Sequence, residues 1–210
     1  MVRTYGNAGG SLSNAGWASS AGAAAAGQAG ERATAHLLSR QPDNRVVMHD
    51  LRMPIPGLNL NIDHVVIAGR TVALIDSKCW KPGFYLTLGG RTFRGRHTAS
   101  HVDKQTMVMA VSDEVADHER PAASHVDKQT MVMARESIGA YLTRRGCAAE
   151  LPAVVAVWPS NQHKLLRLWA ARMPGADLIQ ATKLPRWLDR HLPNKPADPE
   201  IVAAMAGLVR

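Results

Sequence analysis

The sequence predicts an α/β fold, a central mixed β-sheet flanked by α-helices, and three observations carry that expectation. The runs "NIDHVVIA" and "TVALIDSKCW" are rich in β-branched residues and read as strands. "QAGERATAHLLS" places its apolar residues at helical spacing. A buried-strand pattern, "PAVVAVW", then returns after a helical stretch, so helices and strands alternate along the chain. With 210 residues the protein is long enough to bury a real core, and residues 27–210 are expected to form one domain.

Residues 1–26 are mostly Gly, Ala, Ser and Asn, a composition that buries little surface, and they are expected to form a flexible arm with a helical option near its end. The first helix is expected from Gln28 to Ser39, with Ala33, His36 and Leu37 on one stripe and Glu31 in its first turn. "RQPDN" ends it, and "RVVMHDLRM" follows as a β-rich run. After the loop "PIPGLNL" the two strand runs flank Gly69 and Arg70, the signature of a hairpin with a type II′ turn. "FYLTL" and "RTFRG" form a second hairpin around Gly89 and Gly90. Helices are expected from about Ser100, then the strand "PAVVAVW", then a basic C-terminal portion.

"ASHVDKQTMVMA" occurs at 99–110 and again, identically, at 123–134. One repeated pair is not a repeat architecture; it is a local tandem duplication. Pro121 between the copies is expected to divide the region into two helices. The Val and Met content of the copies leaves a homodimer open.

The formal charge of +8 and a pI near 10 favour a polyanionic partner, nucleic acid or an anionic membrane surface. No run reaches the roughly 18 apolar residues of a membrane span. Only Cys79 and Cys147 are present, so no disulfide framework is available and a reduced, cytoplasmic setting is expected.

The hairpin also fixes a register. If Gly69 and Arg70 are the turn, Ala68 pairs with Thr71, and the same arithmetic sets Asp63 opposite Asp76. Lys78 follows on the same face, because strands have a period of two. Like charges placed opposite each other destabilise a sheet by up to about 1 kcal/mol, so a compensating cation is expected. Mg²⁺ or Mn²⁺ meets that need with carboxylate and phosphate oxygens. Lys78 is then placed to orient an attacking water or to neutralise charge in the transition state.

"AGERATAHLL", "NIDHVV" and "ALIDSKCW", in that order, resemble the nuclease-related domain (NERD) family, a branch of the restriction-endonuclease-like PD-(D/E)xK superfamily, over roughly residues 27–110. The resemblance implies a restriction-endonuclease-like core. It makes Asp63 the motif's Asp, Asp76-Ser77-Lys78 its acidic-x-Lys and Glu31 its helix acid. The Ser77 backbone carbonyl is implied as a further metal ligand, and Gln105, or its duplicate Gln129, as a helix residue near the site. The family more often has Glu where this chain has Asp76.

Lys81, Arg91, Arg94, Arg96 and Lys104 follow the site with one acid, Asp103, among them, and are expected to hold phosphates. A second basic run, Lys164 to Arg190, is interleaved with Trp169 and Trp187, which are core residues or stacking platforms. His64 is expected to pack on the face opposite Asp63, and Trp80 to pack under the hairpin. His97 and His101 lie four apart, the spacing of helix neighbours, without the partners of a zinc site. The expected function is metal-dependent hydrolysis of nucleic acid, with DNA favoured. The alternative is a nucleic-acid-binding module with little catalysis on the same fold.

Overall fold

The computed structural model describes residues 1–10, 21–57, 60–88, 91–95, 97–98, 130–161 and 165–210. Its main sheet has six strands: β1 (Arg3–Tyr5), β2 (Val46–Arg52), β3 (Asn61–Ala68), β4 (Thr71–Trp80), β8 (Ala153–Pro159) and β10 (Asp177–Gln180), in the order β1-β2-β3-β4-β8-β10. β2, β3 and β4 are antiparallel neighbours, while β1, β8 and β10 run parallel to the strands beside them, so the sheet is mixed. Between β4 and β8 the chain builds part of a second sheet from β5 (Gly83–Leu88), β6 (Arg91–Arg94) and β7 (His97–Thr98); β9 (Leu166–Ala170) completes it in the order β7-β6-β5-β9.

Helices cover both faces of the main sheet. On one face lie α1 (Ala21–Leu38) and α3 (Leu184–His191), whose Leu38, Leu184, Trp187 and Leu188 pack on Val47, Val66, Ala73, Ile75 and Val154. On the other lie α2 (Thr130–Thr143) and α4 (Pro199–Ala206), whose Met131, Ile138, Leu142, Ile201 and Met205 pack on Val46, Met48, Val65, Leu74 and Val155. A sheet buried on both faces explains why these strands read as continuous apolar runs. Any charge within them therefore stands out.

Three sequence expectations change. The arm is structured over its first residues, because Arg3–Tyr5 pairs in parallel with Val46–Met48 and Gly6 lies too close to the His49 carbonyl for a side chain. Composition hides this short edge strand, which pairs with β2 and packs Tyr5 and the adjoining Val2 against the core. The first helix begins at Ala21, earlier than the periodicity suggests, since an Ala-rich run extends a helix without needing an apolar stripe. His97 lies in a strand, not a helix.

The duplicated segment enters the described structure only through its second copy. Thr130 to Ala134 form the start of α2, with Met131 and Ala134 buried in the core. The first copy, the expected break at Pro121, Lys104, Gln105 and Gln129 lie outside the described residues, as do Arg96 and His101.

Candidate active site

The β3–β4 turn has the anticipated form. Of its two residues only Gly69 has a positive φ, 51°, as a type II′ turn requires. The register follows, from Ala68↔Thr71 to His64↔Ile75. One step further, at Asp63 and Asp76, the ladder stops, and from there β4 continues beside β8 alone, paired as far as Trp80↔Pro159. Asp63 therefore does not face Asp76 as a regular ladder pair. Its Oδ2 accepts from the Ser77 backbone N–H at 2.7 Å, replacing the bond the parting strand has given up.

The parting has a second cause on the other side of β3. The β2–β3 pairing runs through His49↔His64, omits Asp50 and Asp63, and resumes at Leu51↔Ile62. Asp50 has φ 52°, the only positive φ at a residue other than glycine among those described. It interrupts the alternation of β2, so that Val46 and Met48 and then Leu51 and Met53 all reach the same core. Left-handed backbone at a non-glycine residue is strained, though Asp tolerates it better than most, and such strain collects at functional positions. Asp50, Asp63 and Asp76 thus stand at one level on three adjacent strands.

Four groups interact here. Lys78 Nζ donates to Asp76 Oδ1 at 2.6 Å. Asp76 Oδ2 is buried and has no hydrogen-bond partner among the described residues. Glu31 reaches in from α1, and its carboxyl is pushed up to about 7, first by burial and then by Asp76 and Asp50, with Lys78 and the Gly9 N–H opposing. Part of Asp63 reaches the surface, yet its carboxyl is enclosed by protein; burial, then Asp76 and Glu31, hold it well above the usual carboxylate range. Burial alone would lower the Lys78 ammonium, but Asp76, Asp63 and Glu31 together raise it, so it stays charged.

A hydrogen-bond hub fixes α1 over this cluster. The Thr34 hydroxyl donates to the Gly30 carbonyl at 3.0 Å and accepts from Ser77 Oγ and from Trp158 Nε1, each at 2.8 Å. This buried side chain ties the helix that carries Glu31 to both β4 and β8. The N-terminal segment adds a further wall: a side chain at Gly10 would meet Asp50 Oδ2 at 2.9 Å.

Around the cluster, His49 Nδ1 and His64 Nδ1 share a hydrogen bond of 2.8 Å in the interior. Burial lowers both histidines; His64, additionally opposed by His49, is far below its ordinary value and neutral. Trp80 packs in the core against Tyr85. Of the expected phosphate contacts, Lys81 and Arg91 are exposed, whereas Arg94 pairs with Tyr85 across the sheet and its side chain lies against the Tyr85 hydroxyl. Trp187 is a core residue whose Nε1 donates to Asp177, and Trp169 is exposed.

Sequence reasoning missed Asp50 and the Thr34 hub. Asp50 carried the signal that exposed Asp63 and Asp76, a charge inside the apolar run "RVVMHDLRM", but no short turn links β2 to β3 and so no register was available to align it.

A mixed sheet flanked by helices, parted at the half-buried Asp63, Asp76 and Lys78 beneath a helix glutamate, is consistent with a nuclease-like α/β fold. The family described as nuclease-related domain matches residues 26–122, a stretch that holds Glu31, Asp63, Asp76 and Lys78 and ends just before the second copy of the duplication. Over this stretch the chain is similar to nuclease-related domains. No curated protein and no solved structure matches the chain. No described helix is long and apolar enough to cross a membrane.

Proposed function

We propose that the protein is a metal-dependent nuclease that hydrolyses phosphodiester bonds of nucleic acid, DNA being the favoured substrate. The observation that carries this reading is the orphaned Asp76 Oδ2, a buried acceptor beside two further carboxyls and a lysine. A buried carboxylate oxygen without a donor costs about 1–3 kcal/mol or more, a penalty that a hard cation removes. Among the described residues no three His, Cys, Asp or Glu side chains converge at ligand spacing. Mg²⁺ does not require three, since one or two carboxylates, waters and the substrate's own phosphate complete its shell. The residues present fit such an ion.

Asp76 and Asp63 would hold the metal, together with the Ser77 carbonyl, and Glu31 would join them or orient a ligand water. When bound, the ion supplies positive charge that polarises the phosphodiester and acidifies the attacking water. Lys78 is permanently protonated in this setting, so it acts through charge: it orients the water and balances the extra negative charge of the transition state. The Asp63 bond to Ser77 N–H holds the parted strand open, and Thr34 holds the helix that presents Glu31. Lys81 and Arg91, exposed just beyond β4 and on β6, would engage the phosphate backbone without reading bases.

Lys78→Met keeps the apolar stem and removes the charge. Cleavage of labelled DNA in Mg²⁺ is expected to fall about 10²- to 10³-fold, with the circular dichroism spectrum unchanged. Undiminished cleavage would show that Lys78 has no part in the reaction. Metal-independent binding without product in the wild type would favour a catalytically weak binding module.

A further inference from the structure

We propose that the outer face of the second sheet binds an unpaired nucleic acid strand, with bases stacking on Trp169 and Phe84 and phosphates held by Arg91 and Arg167. The proposal rests on the nuclease reading and deepens it by naming the strand state that the protein grips.

The geometry of the sheet creates this face. Along β9, Leu166 and Leu168 turn inward to the core, and Arg167 stands opposite Phe84 on the outer side. The β5–β9 register then jumps from Tyr85↔Leu168 to Leu86↔Ala170, leaving Trp169 as the extra residue of a bulge. Bulges re-aim side chains, and this one leaves Trp169 74% exposed. Its ring centroid is 5.7 Å from that of Phe84, itself 41% exposed, with the planes tilted by 37°. Leu88, 69% exposed, lies opposite Arg91 at the far end of β5.

Large side chains left in water at this density mark a binding surface rather than chance exposure. Charge selects the partner. The strands β5, β6, β7 and β9 contain no Asp or Glu; Arg91 and Arg167 stand on the outer face, while Arg94 lies on the inner one beside Tyr85. A face that combines aromatic rings with arginines and lacks acids complements a polyanion with flat apolar groups, which is single-stranded nucleic acid. A duplex hides its base faces in its own stack, so these rings have nothing to stack on until the strands separate. Phe84 follows Asp76 by eight residues, so the two are at most about 29 Å apart.

The test is fluorescence anisotropy in EDTA with the full chain, using a labelled oligothymidylate and a hairpin duplex of equal charge. Trp169→Ala is expected to weaken oligothymidylate binding about tenfold and leave duplex binding unchanged, and Trp169→Phe to recover most of the loss. Failure of the wild type to bind the single strand, no effect of Trp169→Ala, or equal loss on both polymers would overturn the proposal. So would altered self-association in Trp169→Ala with unaltered oligonucleotide binding, which would assign the face to a second copy of the chain. Binding in EDTA needs no catalysis. Absence of Mg²⁺-dependent cleavage would therefore defeat the nuclease reading while leaving the stacking platform intact, and loss of the platform would leave cleavage of a duplex to be judged separately.

Discussion

Asp63→Asn is expected to make the metal-free protein more stable and to abolish its activity. The Asp63 carboxyl is enclosed by protein and repelled by Asp76 and Glu31, which is why it holds its proton well above the usual range. Asparagine has the same shape, and its Oδ1 still accepts the Ser77 N–H that Asp63 Oδ2 takes at 2.7 Å. Its amide brings donors to a site whose Asp76 Oδ2 has none. Replacing an enclosed carboxyl that Asp76 and Glu31 repel with a neutral amide is expected to raise Tm by about 2–4 °C, the shift that about 1 kcal/mol gives in a chain of this size. The same change removes an anionic metal ligand, and cleavage is expected to fall at least about 10³-fold. Thermal unfolding in EDTA beside a cleavage assay reads both effects. A lower Tm would mean that the carboxylate is a structural ion-pair partner and the cluster is built for stability.

The second large effect is on the pH dependence of stability. Glu31 has a folded pKa of about 7 against an unfolded value of 4.5, and Asp63 is raised as well. The folded protein then binds more protons than the unfolded chain between these values, so stability falls as pH rises through that window. For Glu31 alone the loss is about 3 kcal/mol between pH 4.5 and pH 7 and above. A divalent cation competes with those protons and stabilises only the form that has lost them. About 10 mM Mg²⁺ is therefore expected to raise Tm by several degrees at pH 8 and hardly at all at pH 5.5. Equal shifts at both pH values would place the cation elsewhere.

Local chemistry made much of the site legible. Gly69-Arg70 is a two-residue turn whose geometry fixes the β3–β4 register without reference to the rest of the fold, and a charge in a doubly covered strand is conspicuous. What the hairpin could not reveal was where pairing ends. That is decided by β8, which takes up β4 from its other side, and by the left-handed backbone at Asp50, and both depend on contacts distant in sequence. Thr34 gave no signal in the sequence for the same reason, since its partners Ser77 and Trp158 lie on strands far along the chain. Trp169 and Trp187 were equivalent in the sequence. Only the β9 bulge and the packing of α3 separate a surface ring from a core one.

The most direct measurement is cleavage of a labelled DNA strand across a Mg²⁺ titration, with wild type and Asp76→Ala side by side and EDTA as the metal-free limit. Product is expected to rise with Mg²⁺ in the wild type, to vanish in EDTA and to be lost in Asp76→Ala. Full cleavage by Asp76→Ala, or undiminished cleavage in EDTA, would contradict metal-dependent cleavage at this site.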